Sequence, residues 1–206
     1  MLNVTLLDYG AGNVSSVQRA LQRLGVASER ASKREQIVAA EKLILPGVGH
    51  YGALIRALDE QGLREALLEK IHAGTPFLGI CLGLQALFDT SEEAAELTGL
   101  GIFCGRVAKL RRTAKLPHMG WNTLQMRRES SLLAGISASD YFYFAHSYAA
   151  TPSPPLLDDS TVATTTHGQE FIAVLQRKNI CAVQFHPEKS GVPGARLLSN
   201  FLRLAA

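Results

Sequence analysis

The stretch Pro76-Phe-Leu-Gly-Ile-Cys-Leu-Gly-Leu-Gln85 joins a short apolar run to a helical pattern through a cysteine, Cys81, that is framed by glycines. Pro76 to Ile80 has the length and composition of a buried strand, and we expect a helical run to begin after Cys81. A nucleophile between a strand and a helix requires a sharp turn, in which Gly79 and Gly83 relieve crowding. The stretch therefore predicts a strand–turn–helix unit that presents the Cys81 thiol.

Strand and helix patterns alternate through the rest of the N-terminal half, whereas the C-terminal half is richer in β patterns. Predicted strands are Leu2 to Leu7, Leu43 to Leu45, Tyr141 to Tyr148, Thr161 to Thr166, Glu170 to Arg177 and Ile180 to Phe185. Predicted helices are one capped by Asn13, a short one with a Ser32–Glu35 capping box, one from about Ala53 to His72, and one from about Gly194 to Leu204. The alternation predicts an α/β fold with a mostly parallel central sheet flanked by helices and an added antiparallel part in the C-terminal half.

Length and composition are those of an ordinary globular protein. The chain has 206 residues, 47% of them hydrophobic, and a formal net charge of +3, too small an excess to indicate a nucleic-acid partner. We expect a single domain over residues 1–206. With no signal-like or membrane-spanning apolar run, and an odd number of widely spaced cysteines, the sequence predicts a cytoplasmic protein with reduced thiols and no membrane association.

The position of Cys81 favours nucleophilic chemistry. A thiol at a helix N-terminus lies at the positive end of the helix dipole, which favours the thiolate. The backbone N–H of Leu82, the next residue, points to where an oxyanion would form. Cys104 and Cys181 lie in apolar β-like runs without the glycine frame that surrounds Cys81, and we interpret both as buried structural cysteines.

A thiol nucleophile needs a base, and His186 is the best placed of the six histidines. It lies in Val183-Gln-Phe-His-Pro-Glu188, at the end of an apolar strand-like run. Pro187 biases His186 toward an extended backbone, in which residues two apart point to the same side. Glu188 could then orient the imidazole and stabilise its charged form. No two histidines have metal-ligand spacing beside an acid, so we predict no metal site.

The glycine run Gly47-Val-Gly-His-Tyr-Gly52 admits two interpretations. It formally matches a dinucleotide-binding fingerprint, but it follows a later strand than expected, and the acidic residue about 20 positions on, Glu69, lies inside a helix. The alternative, which we favour, is a strand end whose backbone near Gly49 offers a second N–H to an oxyanion beside Cys81.

With the glycine segment Pro46 to Gly49, the Cys81 segment and the His186–Glu188 segment in this order, the chain resembles class I glutamine amidotransferases. Three further segments make it similar to one subfamily, the glutaminase subunits of imidazole glycerol phosphate synthases. These segments are Asp8-Tyr-Gly-Ala-Gly-Asn13, Pro117-His-Met-Gly-Trp-Asn122 and Tyr141-Phe-Tyr-Phe-Ala-His-Ser-Tyr148. The resemblance extends from the first predicted strand to the last helix and implies a flavodoxin-like arrangement of the sheet.

The resemblance implies that Cys81 attacks the carboxamide of L-glutamine, that His186 passes the proton to departing ammonia and that Glu188 orients His186. Backbone amides near Gly49 and Leu82 would form the oxyanion hole. Residues matching positions that hold glutamine are Gln85, Glu93, His146, Ser147 and Tyr148. No cofactor is implied.

The resemblance also implies a partner, a separate (β/α)8-barrel cyclase subunit that forms a heterodimer with this chain and receives the ammonia. The cyclase converts an open-chain ribulosyl-phosphate aminoimidazole carboxamide nucleotide (PRFAR) to imidazole glycerol phosphate and an aminoimidazole carboxamide ribotide (AICAR) in histidine biosynthesis. Residues matching the interface are Asn13, His118, Trp121 and Lys189, although Trp121 could equally be a core aromatic.

Three other functions remain open at this point. The chain could be a glutaminase subunit of another amidotransferase or a free-standing γ-glutamyl hydrolase of the same fold. It could also be a catalytically silent binding module, for which loss of Cys81, His186 or Glu188 would be the expected signature.

Overall fold

The computed structural model of the protein describes residues 4–10, 13–111 and 115–205. Leu2 and Asn3 of the first predicted strand lie outside these ranges. The strands are β1 (Val4–Leu7), β2 (Ser28–Ala31), β3 (Lys42–Gly47), β4 (Phe77–Cys81), β5 (Phe88–Ser91), β6 (Phe103–Lys109), β7 (His118–Asn122), β8 (Gln125–Met126), β9 (Phe142–His146), β10 (Tyr148–Ala150), β11 (Thr161–Thr166), β12 (Glu170–Arg177) and β13 (Ile180–Val183). The helices are α1 (Val14–Arg23), α2 (Arg34–Val38), α3 (Tyr51–Glu60), α4 (Leu63–His72), α5 (Leu82–Gln85), α6 (Pro154–Asp159) and α7 (Gly191–Arg203).

Eight of the described strands form one large sheet whose first five members are parallel. Its order is β2-β1-β3-β4-β13-β12-β11-β8, and pairing is parallel from β2 through β13 and antiparallel from β13 through β8. The predicted α/β class, with a mostly parallel central sheet and an antiparallel C-terminal part, is confirmed. The carboxyl ends of β3, β4 and β13 lie side by side, which is where ligands bind in sheets of this kind.

Two smaller sheets stand beside the large one. One has the order β10-β6-β5, and the other is the antiparallel pair β7 and β9, in which His118 lies opposite His146. The single strand predicted from Tyr141 to Tyr148 is therefore wrong in one respect, because Ser147 separates two strands that belong to different sheets.

The structure has helices in each region where the sequence predicts one, but it differs from the prediction in where some of them begin, break and end. The helix predicted from Ala53 to His72 is two helices, because Gly62 between them has a left-handed backbone with φ 65°. The run after Cys81 is only the single turn α5. The predicted Ser32–Glu35 capping box is also wrong, since the side chain of Gln36 accepts the hydrogen bond from the N–H of Lys33 at the start of α2.

The core has two layers, one on each face of the large sheet. Successive residues of β3 contact opposite layers, with Leu43 and Leu45 on one side and Ile44 on the other. Strands buried on both faces account for the nearly continuous apolar sequences of β3 and β4. Across the described ranges, no helix is both long enough and apolar enough to span a membrane.

Candidate active site

Cys81 ends β4 and begins α5 in a strained turn. Its backbone has φ 54° and ψ −104°, a region that non-glycine residues seldom adopt. A side chain on Gly79 would meet the backbone oxygen of Gly83 at 2.6 Å, and one on Gly83 would collide with the carbonyl oxygen of Leu45. The glycines thus let the turn close against β3. Because α5 is a single turn, only a few peptide dipoles add together at its N-terminus beside Cys81.

The Cys81 turn borders a cavity of about 340 Å³ at the carboxyl edge of the sheet. Most of the residues that the sequence predicted for catalysis and substrate binding line it together, as does the predicted interface residue Lys189. They are Cys81, His186, Gly49, Leu82, Gln85, Glu93, His146, Ser147 and Tyr148. A larger cavity of about 790 Å³, lined by residues such as Met126 and Ile136, contains none of the predicted site residues.

His186 and Glu188 lie behind Cys81 in a hydrogen-bonded row. The imidazole of His186 bonds to the Cys81 thiol, and its Nδ1 lies 2.9 Å from Oε1 of Glu188. Both side chains are almost fully buried. His186 has the extended backbone expected before Pro187. However, residues 187–189 form a 3-10 turn and not a continued strand, so the turn brings the carboxylate back to the imidazole.

The two partners of His186 determine its charge. Burial alone would lower its pKa, but the hydrogen bonds and negative charges of Cys81 and Glu188 outweigh it and raise the pKa to about 10. The imidazole therefore carries a proton at neutral pH, as an imidazolium between two acidic groups. That form can donate a proton to a leaving nitrogen.

The predicted oxyanion residues, Gly49 and Leu82, line the same cavity as Cys81. Gly49 has φ 98°, a left-handed backbone that requires glycine, and Leu82 is the first residue of α5. The strand end is packed on the nucleophile turn, since a side chain on Gly47 would meet the Cβ of Leu82 at 2.6 Å. The glycine run therefore serves close packing beside Cys81, which the dinucleotide interpretation does not explain.

The residues predicted to hold glutamine, Gln85, Glu93 and His146 to Tyr148, line the same cavity and are called the substrate wall below. Nε2 of Gln85 donates to the carbonyl oxygen of Tyr148 at 2.8 Å, and Nδ1 of His146 lies 2.9 Å from the same oxygen. One carboxylate oxygen of Glu93 accepts the N–H of Tyr51 at 2.7 Å. Ser147 is half-buried between β9 and β10.

Behind this wall, His146 forms a buried pair with His118. Nδ1 of His118 lies 3.1 Å from Nε2 of His146, and the His118 ring stacks on His167 at a centroid distance of 4.1 Å. Burial and the neighbouring histidines lower the pKa of His118 to about 4 and that of His146 to about 3. Both rings are neutral at physiological pH and exchange a directed hydrogen bond.

Sequence reasoning missed Gln184, whose Nε2 lies 3.6 Å from the sulfur of Cys81. The side chain is fully buried, and the residue follows β13 directly. The available signal was a polar residue inside the apolar run Ala182 to Phe185, two positions before His186 and hence on the same side of an extended segment.

The four predicted interface residues have different environments. Trp121 is 56% exposed, which excludes the core-aromatic alternative, and its ring contacts Tyr143 edge-on at 5.8 Å. Lys189 is exposed with its ammonium 5.6 Å from the Tyr143 ring centre. His118 is buried beneath this surface. Asn13 reaches inward, because its Nδ2 donates to Oε1 of Glu188 at 3.1 Å.

The other two cysteines lie away from the cavity. Cys181 is buried as predicted, and burial raises the pKa of its thiol to about 12. The interpretation of Cys104 as buried is wrong, since it is the first of three consecutive exposed residues on β6. An apolar-looking pattern did not reveal that β6 lies in a small outer sheet.

Comparison with known sequences gives one consistent assignment. Residues 5–205 match the family model described as "Glutamine amidotransferase class-I". Imidazole glycerol phosphate synthase subunit HisH 1 of Methanococcus maripaludis is 42% identical over 98% of this chain and 99% of its own length. Subunit HisH of Methanothermobacter thermautotrophicus is 44% identical over 98% of each chain. The chloroplastic synthase hisHF of Arabidopsis thaliana is 45% identical over 97% of this chain, which corresponds to 34% of that longer protein.

Solved structures agree on the fold. A crystal structure described as a glutamine amidotransferase superposes with a TM-score of 0.76 over 97% of this chain and 96% of its own, at 20% identity. A structure of PurLQS from Thermotoga maritima gives a TM-score of 0.73 at 17% identity over 97% of each chain. These similarities concern the fold alone, whereas the sequence matches cover nearly the whole chain at much higher identity. The chain belongs to the class I glutamine amidotransferase family and, within it, to the HisH subunits of imidazole glycerol phosphate synthase.

Proposed function

We propose that this chain hydrolyses L-glutamine to glutamate and ammonia through Cys81, His186 and Glu188, and that it does so as the glutaminase subunit of an imidazole glycerol phosphate synthase. One observation carries the proposal. The buried row of Cys81, His186 and Glu188 opens at its thiol end into a cavity that also holds the glycine strand end and Gln85. Nucleophile, proton carrier and orienting carboxylate are thus assembled at one ligand-sized space.

The reaction follows from the charge states of the row. The Cys81 sulfur, whose proton His186 has taken up, attacks the side-chain carbonyl carbon of glutamine, and the carbonyl oxygen becomes an oxyanion between the backbone amides near Gly49 and Leu82. His186, protonated because its pKa is raised to about 10, gives its proton to the amide nitrogen, and ammonia leaves. The neutral imidazole then takes a proton from the water that hydrolyses the thioester, which releases glutamate.

The substrate wall supplies groups suited to the rest of the substrate. The carboxylate of Glu93 lines the cavity and matches the charge of the glutamine α-ammonium. Gln85, Ser147 and the Tyr148 segment add neutral hydrogen-bonding groups. His146 enters as a neutral ring, so it adds no positive charge that would compete with His186.

The partner in this proposal is a (β/α)8-barrel cyclase subunit that forms a heterodimer with this chain and consumes the ammonia with PRFAR. Exposed side chains border the cavity on the side of the antiparallel pair β7 and β9, where Met119 is 65% and Trp121 is 56% exposed. Met119 and Lys189 line the cavity itself, so a protein docked here would cover its mouth. In Arabidopsis thaliana, the matching segment is one third of a longer protein named hisHF, which fits a need for the remaining two thirds.

The proposal treats residues 1–206 as one glutaminase domain acting in the cytoplasm. The family match over residues 5–205 supports one domain. The free Cys81, Cys104 and Cys181 suit a reducing compartment, in which a cysteine nucleophile stays active.

The decisive experiment measures glutamate release from glutamine by the chain alone, with the cyclase subunit, and with the cyclase plus PRFAR. The Cys81→Ala variant provides the blank, because it removes the nucleophile and keeps the fold. We expect a large increase with the loaded cyclase, absent in the variant, together with formation of imidazole glycerol phosphate.

The rival functions give different results in the same assay. A glutaminase subunit of another amidotransferase would respond only to a different synthase partner. A free-standing γ-glutamyl hydrolase would cleave γ-glutamyl peptides at full rate without any partner. Glutamate release that persists in Cys81→Ala would contradict the catalytic assignment itself.

A further inference from the structure

The carboxamide of Gln184 joins the nucleophile to the substrate wall from behind. It is fully buried and does not line the cavity. Its Nε2 lies 3.6 Å from the Cys81 sulfur, and its Oε1 lies 3.2 Å from Nε2 of Gln85. A buried carboxamide is costly to desolvate unless its hydrogen bonds are made, and both ends of this one contact residues of the site.

The direction of these hydrogen bonds is fixed by the Tyr148 carbonyl. A backbone carbonyl oxygen only accepts, so the Gln85 atom 2.8 Å from it must be the amide nitrogen. That nitrogen has a second hydrogen, which points to Gln184, so Gln184 must present its oxygen there. The amide nitrogen of Gln184 is therefore the end that faces the Cys81 sulfur.

This order has two consequences for the reaction. Both N–H groups of Gln85 are occupied, so the group that it can offer a ligand is its carbonyl oxygen, an acceptor suited to an N–H donor such as those of glutamine. The Cys81 sulfur receives an N–H donor from Gln184 in addition to its bond with His186. Because this donor is already in place, it can stabilise negative charge on the sulfur without any reorganisation of the site.

We propose that Gln184 is a positioning residue for glutamine hydrolysis, which orients Gln85 toward the substrate through its oxygen and holds the Cys81 sulfur through its nitrogen. The inference rests on the proposed glutaminase function and deepens it. Strand geometry supports it independently, because Gln184 and His186 are two residues apart on an extended segment and both reach the same thiol.

Two substitutions separate the two contacts. Gln184→Met has nearly the same shape and loses both, so we expect the KM for glutamine to rise and kcat to fall, each by about tenfold. In its ionised form, Gln184→Glu keeps an oxygen for Gln85 and has no donor for the sulfur, so we expect kcat to fall by about tenfold while KM stays within about threefold. Rates are measured as glutamate release with the loaded cyclase, per active site labelled at Cys81.

Glutamine protection of Cys81 against alkylation, followed by mass spectrometry of its peptide, measures binding without turnover and should weaken only in Gln184→Met. The matched control is Gln176→Met, the same substitution at a glutamine that contacts Ser130 and Ser131, and it should keep both kinetic constants. If Gln184→Met lowers the melting temperature but leaves KM and kcat unchanged, the residue is structural only and the inference is wrong. Inactivity of the wild-type chain would instead refute the proposed function.

Discussion

The proton on His186 is held by its neighbours against the effect of burial. Desolvation favours the neutral ring, but the contacts with Cys81 and Glu188 raise the pKa to about 10. The unfolded chain has an ordinary histidine with a pKa near 6.5. Between these two values, the folded protein binds a proton that the unfolded chain has lost. His186 therefore stabilises the fold below about pH 6.5, and this contribution is lost as the pH rises toward about 10.

Replacing Cys81 with alanine should lower the His186 pKa, because it removes one hydrogen bond and one negative charge while burial remains. NMR titration of the His186 ring in both proteins measures this directly. The stabilisation should then disappear at lower pH, so the free energy of unfolding of Cys81→Ala should fall earlier on the alkaline side. An unchanged His186 titration in the variant would show that Cys81 does not hold the proton.

Single residues differed in how well the sequence predicted them. Cys81, His186 and Glu188 were predicted because each stands in a local context, a glycine-framed turn or an X–Pro strand end, that is explained poorly by packing alone. Gln184 was missed because its role depends on contacts with Cys81 and Gln85, 103 and 99 positions away. The buried interpretation of Cys104 failed because side-chain composition does not reveal which sheet a strand joins.

The β4–α5 turn packs against β3 and β4 through glycines. A methyl group on Gly83 would collide with the carbonyl oxygen of Leu45 in β3 and push the turn away from that strand. Both strands are buried, so neither can move into solvent.

We expect Gly83→Ala to lower the free energy of unfolding by about 3 kcal/mol and to reduce glutaminase activity further than the loss of folded protein explains. Urea denaturation and rates per labelled Cys81 measure the two effects. The control is Gly25→Ala, where φ is 76° and the added methyl group meets no atom within 4 Å, so only backbone strain of about 1 kcal/mol is expected. Equal effects of the two substitutions on activity would contradict the packing argument.

The antiparallel strands β7 and β9 contain a second pH-dependent element, the neutral pair His118 and His146. The pKa values of both rings are lowered in the folded protein. As the pH falls below about 6.5, the unfolded chain therefore binds protons that the folded chain does not bind. Stability should therefore be lost on acidification, down to about pH 4 for His118. The sign is opposite to that for His186.

Replacing His118 with leucine should make the acid loss of stability shallower, by up to about 1.4 kcal/mol per pH unit. Urea denaturation at pH 7, 6 and 5 measures the slope. Met119→Leu, on the same strand but without a titrating group, should keep the wild-type slope. An identical slope in His118→Leu and wild type would show that the pair does not resist protonation.

Element boundaries show where local sequence patterns stop being informative. The strands β11 and β12 have the predicted bounds, because clear turn residues separate two regular runs. The apolar pattern from Ala53 to His72 continues through Gly62, and only the left-handed backbone of that residue divides the helix. After Cys81, the helical pattern gives way to β5, because contacts with the small outer sheet override local propensity.

At the scale of the whole molecule, alternation of strands and helices was enough to predict the fold class and the edge of the sheet that carries the site. It was not enough to bring the two halves of the triad together. That depends on β13 pairing in parallel with β4, so that Val183 lies beside Ile80 just before His186 and Cys81. Such long-range pairing leaves no periodic signal, and here it was available only through the resemblance of the motifs to a known family.

We expect the partner subunit to contact the exposed surface beside the cavity. Trp121 is the single tryptophan of the chain and is more than half exposed, and with its neighbours Tyr143 and Lys189 it forms an aromatic and cationic surface. Exposed tryptophans that become buried on association often dominate the binding energy. We expect Trp121→Ala to weaken binding of the cyclase subunit by about 2 kcal/mol or more, measured by calorimetric titration, and to leave the melting temperature of the isolated chain nearly unchanged.

Val38→Ala removes a similarly exposed apolar side chain on α2 and should bind as the wild type does. Blue-shifted Trp121 fluorescence on adding the cyclase, with Trp121→Phe as the blank, tests the same burial independently. Unchanged affinity and fluorescence together would mean that the cyclase docks elsewhere, and that the cavity mouth beside Met119 and Lys189 is not where ammonia leaves.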